Sequence, residues 1–397
     1  MKLEIVFELC ATSYINLKIV VSTTKLIFLH YRENSMVRLL LLLSILLFSN
    51  NISAMSTAIG HGPIGLMADH FHKKGEWMIS LRVSNMGMKK NTLDGKNISD
   101  IEILNQPNPS FKMSSMNNMP MMEISSMKMP KNLSVIPRKM TMRMIMLGAM
   151  YAPSDKITLM GMAMFNDKEM KLDTYRGMMN RNYLGSFETS SSDLSKISLS
   201  ALFNLHENES SRWHLIGGLE KSIGENTKKG MVFTPMNTNT SITLPYGMQP
   251  SDKALRLLIG VTNVTKINNF VLGNQVLFRK SIEEKNWNFG DEFEYNLWFQ
   301  CSFNDNISYS LRLNYLDIDT IDGKDKNIMA PVQTANPSNY GGEIINIGIG
   351  FNFITNFLPG KHSDRLAIEY IIPIDQDKSG LQMKNEAKFI VGFQKSL

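Results

Sequence analysis

From Phe293 onward every second residue is large and apolar. Phe293, Tyr295, Leu297 and Phe299 take one face, while Glu292, Glu294, Asn296 and Gln300 take the other, with Trp298 the single large residue on the polar side. After Ser302-Phe303-Asn304-Asp305-Asn306 the pattern resumes, with Ile307, Tyr309, Leu311, Leu313 and Tyr315 opposite Ser308, Ser310, Arg312 and Asn314. A third run sets Ile345, Ile347, Ile349, Phe351 and Phe353 against Asn346, Gly348, Gly350 and Asn352. Side chains of a strand point alternately to its two faces, so alternation held over nine or more residues predicts strands with one apolar and one polar face. Soluble strands are commonly about five or six residues long, whereas a tilted strand of about 9–11 crosses a bilayer.

The same template, less cleanly filled, predicts strands near 76–87, 139–150, 156–165, 195–205, 213–223, 254–265, 270–280, 291–301, 307–315, 343–353, 364–372 and 386–396. These are twelve, an even number, as closed bacterial barrels have. The connections add an independent regularity. Those after the second, fourth, sixth and eighth strands are short (Ala152-Pro153-Ser154-Asp155, then 206–212, 266–269 and 302–306), and 354–363 is somewhat longer. Those after the first, third, fifth and ninth are long (88–138, 166–194, 224–253 and 316–342), and those after the seventh and eleventh are intermediate. Outer-membrane barrels have short periplasmic turns and longer external loops. The expected fold is therefore all-β: a closed antiparallel transmembrane barrel of about 12 strands over residues 76–397. A β-sandwich also alternates, but it has no need of that loop parity.

Charged residues make up 20% and hydrophobic residues 43% of the 397. Past residue 50 no apolar run approaches the roughly 20 residues of a spanning helix. The longest, Leu39 to Phe48, follows Met36-Val37-Arg38 and ends near Ala54, which predicts a Sec signal peptide at 36–54. Residues 1–35 then read as an upstream extension from a mis-called start, and 55–75 as a periplasmic segment or plug. Lys2, Lys18, Lys25, Arg32 and Arg38 against Glu4, Glu8 and Glu33 account for two of the formal +6, leaving +4 for the mature chain. No basic stripe of the nucleic-acid kind appears. With Cys10 upstream of the signal, Cys301 has no internal disulfide partner.

Three segments are distinctive: His61-Gly62-Pro63-Ile64-Gly65 through Asp69-His70-Phe71-His72 to Met78, then Met146 to Met160 around Tyr151-Ala152-Pro153-Ser154-Asp155, and His362-Ser363-Asp364-Arg365-Leu366-Ala367-Ile368-Glu369. Together they resemble the bacterial outer-membrane "transporter" barrels of the meta-pathway phenol-degradation family. The resemblance spans roughly 58–397. It implies a barrel in a Gram-negative outer membrane, set there by the barrel-assembly machinery and tied to passage of small molecules, and it leaves the cargo open.

Methionine is the compositional anomaly: 30 in the chain, 18 of them between Met113 and Met179. The spacing of Met113, Met116 and Met119 brings thioethers within reach of one ion, and soft sulfur selects Cu(I) or Ag(I). His61, Met67, His70 and His72 form a second candidate metal cluster, imidazole suiting copper, zinc and nickel. The plainer reading of methionine is packing. If Arg143 faces the lumen, then Met140, Met142, Met144 and Met146 face lipid, whereas Met160, Met162 and Met164 line the lumen. A polar lining of Glu292, Glu294, Asn296, Arg312, Glu369 and Lys388 would set ion selectivity or fill the interior. Beyond residue 75 only His206, His214 and His362 could serve as a base, all at the periplasmic end, and no Gly-x-Ser-x-Gly or His-Glu-x-x-His occurs. The expected protein is not an enzyme and carries no cofactor apart from a copper or silver ion. Three readings follow: a barrel passing small apolar or soft solutes, a copper- or silver-binding surface protein, and a plugged structural barrel.

Overall fold

The computed structural model describes residues 57–111, 129–177, 181–356 and 364–397. Residues 1–35, the segment 36–54, the loop methionines Met113, Met116 and Met119, and His362 lie outside the described residues.

Twelve long strands follow one another in chain order among the described residues: β1 (Trp77–Leu93), β2 (Val135–Ser154), β3 (Ile157–Tyr175), β4 (Tyr183–Glu207), β5 (Ser211–Ser222), β6 (Leu255–Ile267), β7 (Phe270–Ser281), β8 (Glu292–Asn304), β9 (Ile307–Ile318), β10 (Gly342–Thr355), β11 (Asp364–Lys378) and β12 (Leu381–Ser396). Each pairs antiparallel with its sequence neighbour, and β12 pairs back onto β1, from Met78 opposite Ser396 to Leu93 opposite Leu381. The sheet is a closed barrel. Closure gives every strand two partners, which removes the edge that an open sheet would expose.

The alternation read from the sequence sorts side chains between the two faces. Ile79, Leu81 and Val83 of β1, Leu159 and Phe165 of β3, Leu199 and Phe203 of β4, Ile349 and Phe351 of β10, and Tyr370 and Ile372 of β11 are exposed on the outer surface. Arg82, Thr158, Ser200, Thr262, Gln275, Asn296, Ser308, Arg312, Asn352 and Glu369 are buried inside. An apolar exterior around a polar interior is the reverse of a water-soluble core. Trp298, the large residue on a polar face, is buried inside and lies over Gly273, where a Cβ would fall 2.0 Å from the indole ring.

Two expectations about connections are corrected. Residues 166–194 are not a loop: β3 runs on to Tyr175 and β4 starts at Tyr183, while β1 reaches Leu93 and β2 starts at Val135. There Met170, Leu172 and Thr174 are buried while Glu169 and Lys171 are exposed. The alternation continues, but its outer face is charged, which suits sheet standing in water. Also, β11 and β12 are joined by a tight turn at Ser379 and Gly380, the latter at φ +65°, rather than by an intermediate loop.

The long connections carry structure of their own. Helix α1 (Asp100–Asn105) starts in a capping box between Ser99 and Glu102. A short hairpin pairs Lys229–Phe233 with Asn239–Thr243. Leu244, Tyr246, Met248, Trp287, Ile328, Val332 and Ala335 form a buried core at this end of the barrel.

Candidate functional site

Residues 57–72 lie inside the barrel, where inward side chains of eight strands grip them. Gln300 Nε2 and Ser308 Oγ donate to the Ala58 carbonyl at 3.1 and 3.0 Å. Asn352 Nδ2 donates to the His61 carbonyl at 3.0 Å, and Arg365 to that of Gly62. Arg82 Nη1 reaches the Leu66 carbonyl at 2.7 Å, Gln275 Nε2 that of Met67 at 2.7 Å, and His214 Nε2 that of Ala68 at 2.9 Å. In the other sense, the Gly65 and His72 amides donate to Glu369 Oε2 (2.7 Å) and Thr158 Oγ1 (2.9 Å). An irregular segment cannot satisfy its own carbonyls and amides, and here the lumen wall satisfies them.

At Gly65 the plug comes close against the wall. A Cβ there would stand 2.5 Å from both Arg312 Nη2 and Glu369 Oε2. Gly65→Ala is expected to destabilise the docked plug by about 1–3 kcal/mol, the usual effect of overpacking. Hydrogen exchange at the residue-65 amide should quicken accordingly, and unchanged exchange would contradict this placement.

Behind the plug runs the polar lining. Arg312 Nε meets Glu369 Oε1 at 2.7 Å and its Nη1 donates to Asn296 Oδ1 at 2.9 Å, while Asn296 and Asn314 both donate to Glu294 Oε1 at 3.1 Å. Arg279, which the sequence reading did not single out, bridges Glu292 (3.2 Å) and Glu294 (3.3 Å). Lys388 is half-buried on the same inner face. Glu292, Glu294, Asn296, Arg312 and Glu369 thus share one connected network, with Lys388 beside it.

The opposite wall is methionine. The register sets Met78, Met150 and Met160 in one cross-strand row, Arg82, Met146 and Met164 in the next but one, and Met88, Met140 and Met170 in a row near the far end. Met144 faces Ser84 and Asn166, and Met142 lies between Met86 and Lys168. Met162 is half-buried on this same face of β3, opposite Gly148. The condition placed on Arg143 resolves the other way: Arg143 is exposed outside, and Met140 and Met146 are buried inside. A strand with methionine on one side and Thr141, Ile145 and Leu147 on the other is apolar on both, so its own residues leave the facing undecided. Its partners decide it, because Met78 and Arg82 of β1 point inward.

At the long-loop end this wall opens into a cavity of about 550 Å³. Its lining includes Phe111, Met129, Met170, Leu172, Phe187, Val232, Phe233, Leu244, Met248, Met329 and Val332. Toward the short-turn end a pocket of about 10 Å³ lies between wall and plug among Met67, Asp69, Met78, Arg82, Met150 and Met162. It has room for roughly one water.

Within the plug, His61, His70 and His72 come together. Ring centroids of His61 and His70 are 4.9 Å apart, and those of His70 and His72 are 5.0 Å apart. Asp69 joins them: its Oδ2 accepts from the Gly62 amide at 2.7 Å and its Oδ1 lies 3.0 Å from His70 Nδ1. Met67 stands apart, its sulfur taken by Arg82. Burial and the nearby Arg365 push the His61 imidazole well below its ordinary range, and burial with His70 takes His72 down to about 4. Burial opposes ionisation of Asp69, but His70, Arg365 and His61 together outweigh it and hold its carboxyl well below the usual range. The cluster thus sets one carboxylate beside the neutral imidazoles of His61 and His72. The sequence reading grouped His61, His70 and His72 but did not single out Asp69, which the turn at Pro63–Leu66 brings back against Gly62.

No protein-family profile matches the chain, and no curated protein does. Solved structures that it resembles include an outer membrane channel from Pseudomonas putida F1, 10% identical, with 83% of this chain and 98% of that chain covered at a TM-score of 0.49. A Pseudomonas aeruginosa FadL homologue is 9% identical over 81% of this chain and 90% of its own, at 0.37. The NanC porin is 5% identical over 79% and 98%, also at 0.37.

Proposed function

We propose that the chain resides in a bacterial outer membrane and passes small apolar or soft solutes through its lumen. The methionine wall running inward from the apolar cavity carries this reading. Thioether side chains are polarizable and adaptable, and they give an apolar solute contact without fixing it in place. The outer band of exposed Ile, Leu, Val and Phe needs lipid against it, and in lipid only a closed sheet leaves no backbone group unpaired. By loop length, the apolar cavity faces outside and the plug faces the periplasm. The resemblance of residues 61–78, 146–160 and 362–369 to barrels tied to small-molecule passage supports the same direction.

The test uses naphthalene as an uncharged probe, followed by its fluorescence in detergent-folded protein. Saturable binding is expected. Met170→Glu should weaken it at least about tenfold, because a carboxylate set in an apolar cavity is disfavoured by more than 1.4 kcal/mol. Equal affinity in the variant would remove the cavity from the reading. A second reading, a plugged structural barrel, is favoured by one observation: residues 57–72 are docked in the lumen. It predicts probe binding without transfer across proteoliposomes, whereas the first predicts transfer.

A further inference from the structure

We propose that His61, Asp69 and His70 form a site for one divalent transition-metal ion of the zinc, nickel or copper(II) kind, which staples the plug's turn shut inside the barrel. Their donor atoms all lie within 4.8 Å of one another, and all three residues are buried. They come from the two arms of one turn, already drawn together by the bond from the Gly62 amide to Asp69. Two imidazoles and a carboxylate suit these borderline ions, and the set lacks the sulfur that Cu(I) or Ag(I) would select. Tetrahedral zinc with bonds of about 2.0–2.1 Å places its donors about 3.3 Å apart, so rotation of the two imidazoles must draw the set in by about 1.5 Å.

A second observation points to a ligand independently. His61 Nδ1, His70 Nε2 and His72 Nε2 are buried without a hydrogen-bond partner. His70 Nδ1 lies 3.0 Å from Asp69 Oδ1. Buried polar groups are nearly always satisfied, and a metal ion between His61 and His70 would satisfy a nitrogen on each. His72 holds Glu76 Oε2 at 3.3 Å through Nδ1, the arrangement in which a carboxylate orients a ligating imidazole, and this leaves Nε2 with its lone pair beside His70. Arg82 and Arg365 oppose a cation here, but Asp69 and Glu369 offset them. His70 lies three residues before Lys73, which is exposed at the short-turn end.

The proposal stands apart from solute passage and is tested on the full chain, folded in detergent and stripped of metal. Titration with Co²⁺ should give one equivalent with the visible bands of four-coordinate cobalt, and Zn²⁺ should bleach them. The double variant His61→Ala and His70→Ala should lose the signal, while His206→Ala, at an exposed histidine outside the plug, should keep it. Absence of a saturable signal in the wild-type protein, or its survival in the double variant, overturns the proposal. Should the double variant fail to form a barrel, wild-type protein still decides. Zn²⁺ must slow hydrogen exchange across residues 61–70, and unchanged exchange refutes the site.

Discussion

Removing residues 57–75 should convert the barrel from a closed state into a sustained open channel in planar bilayers. In the intact chain side chains of the lumen wall hold residues 57–72 in place, so a solute passes only when that segment shifts. Without it, a barrel of twelve strands falls between filled eight-stranded barrels and open porins of 16–18, so a narrow continuous pore is expected. The barrel should survive the deletion. Arg82, Arg365, Gln275, His214 and Asn352 lose carbonyl partners. An unmet partner disfavours a buried group by about 1–3 kcal/mol, but here water enters and takes the carbonyl's place. The strand ladder is untouched. Current that stays at the closed level after deletion would show that the plug is not what shuts the lumen.

Glu369→Ala should destabilise the folded chain by about 3–5 kcal/mol, the usual effect of removing one partner of a buried ion pair. Glu369 is 1% exposed and Arg312 4%. The carboxylate takes Arg312 Nε on one oxygen and the Gly65 amide on the other, so the change leaves a buried guanidinium with Asn296 as its remaining partner and frees the plug amide. Glu369→Leu combined with Arg312→Met removes both charges and should destabilise much less, because replacing a whole buried pair with apolar residues is often near neutral. Denaturant unfolding in lipid vesicles separates the two. Equal losses in the single and double variants would mean that the charge left behind is not the cause.

Much of the barrel is legible in the sequence because lipid and lumen impose opposite chemistry on alternate residues. From β5 to β10 the expected strands begin and end within a few residues of the observed ones, as at 270–280 against Phe270–Ser281. Where β3 and β4 rise above the apolar band, the outer face carries Glu169 and Lys171 instead of leucine, and the signal weakens although the pairing continues to Tyr175 opposite Tyr183. The facing of β2 was not legible, since methionine opposite isoleucine and leucine carries no polarity contrast. The candidate lining of Glu294, Asn296, Arg312 and Glu369 followed from alternation alone. Arg365 did not stand out, because its plug partner, the Gly62 carbonyl, is distant in sequence. Arg279 and Arg82 were passed over although their partners are near in the chain. The plug's histidines were legible as a cluster, but the joining of His61 to Asp69 was not.

Electrophoretic mobility reports whether this chain closes its sheet into a barrel with an apolar outer belt. Folded into detergent and run in SDS with and without boiling, the chain should migrate as a compact species until heated and as an extended one afterwards. Closure of β12 onto β1 leaves no edge at which detergent can begin to unpair the strands. A single mobility, indifferent to heating, from protein that stays in the water-soluble fraction would contradict the account.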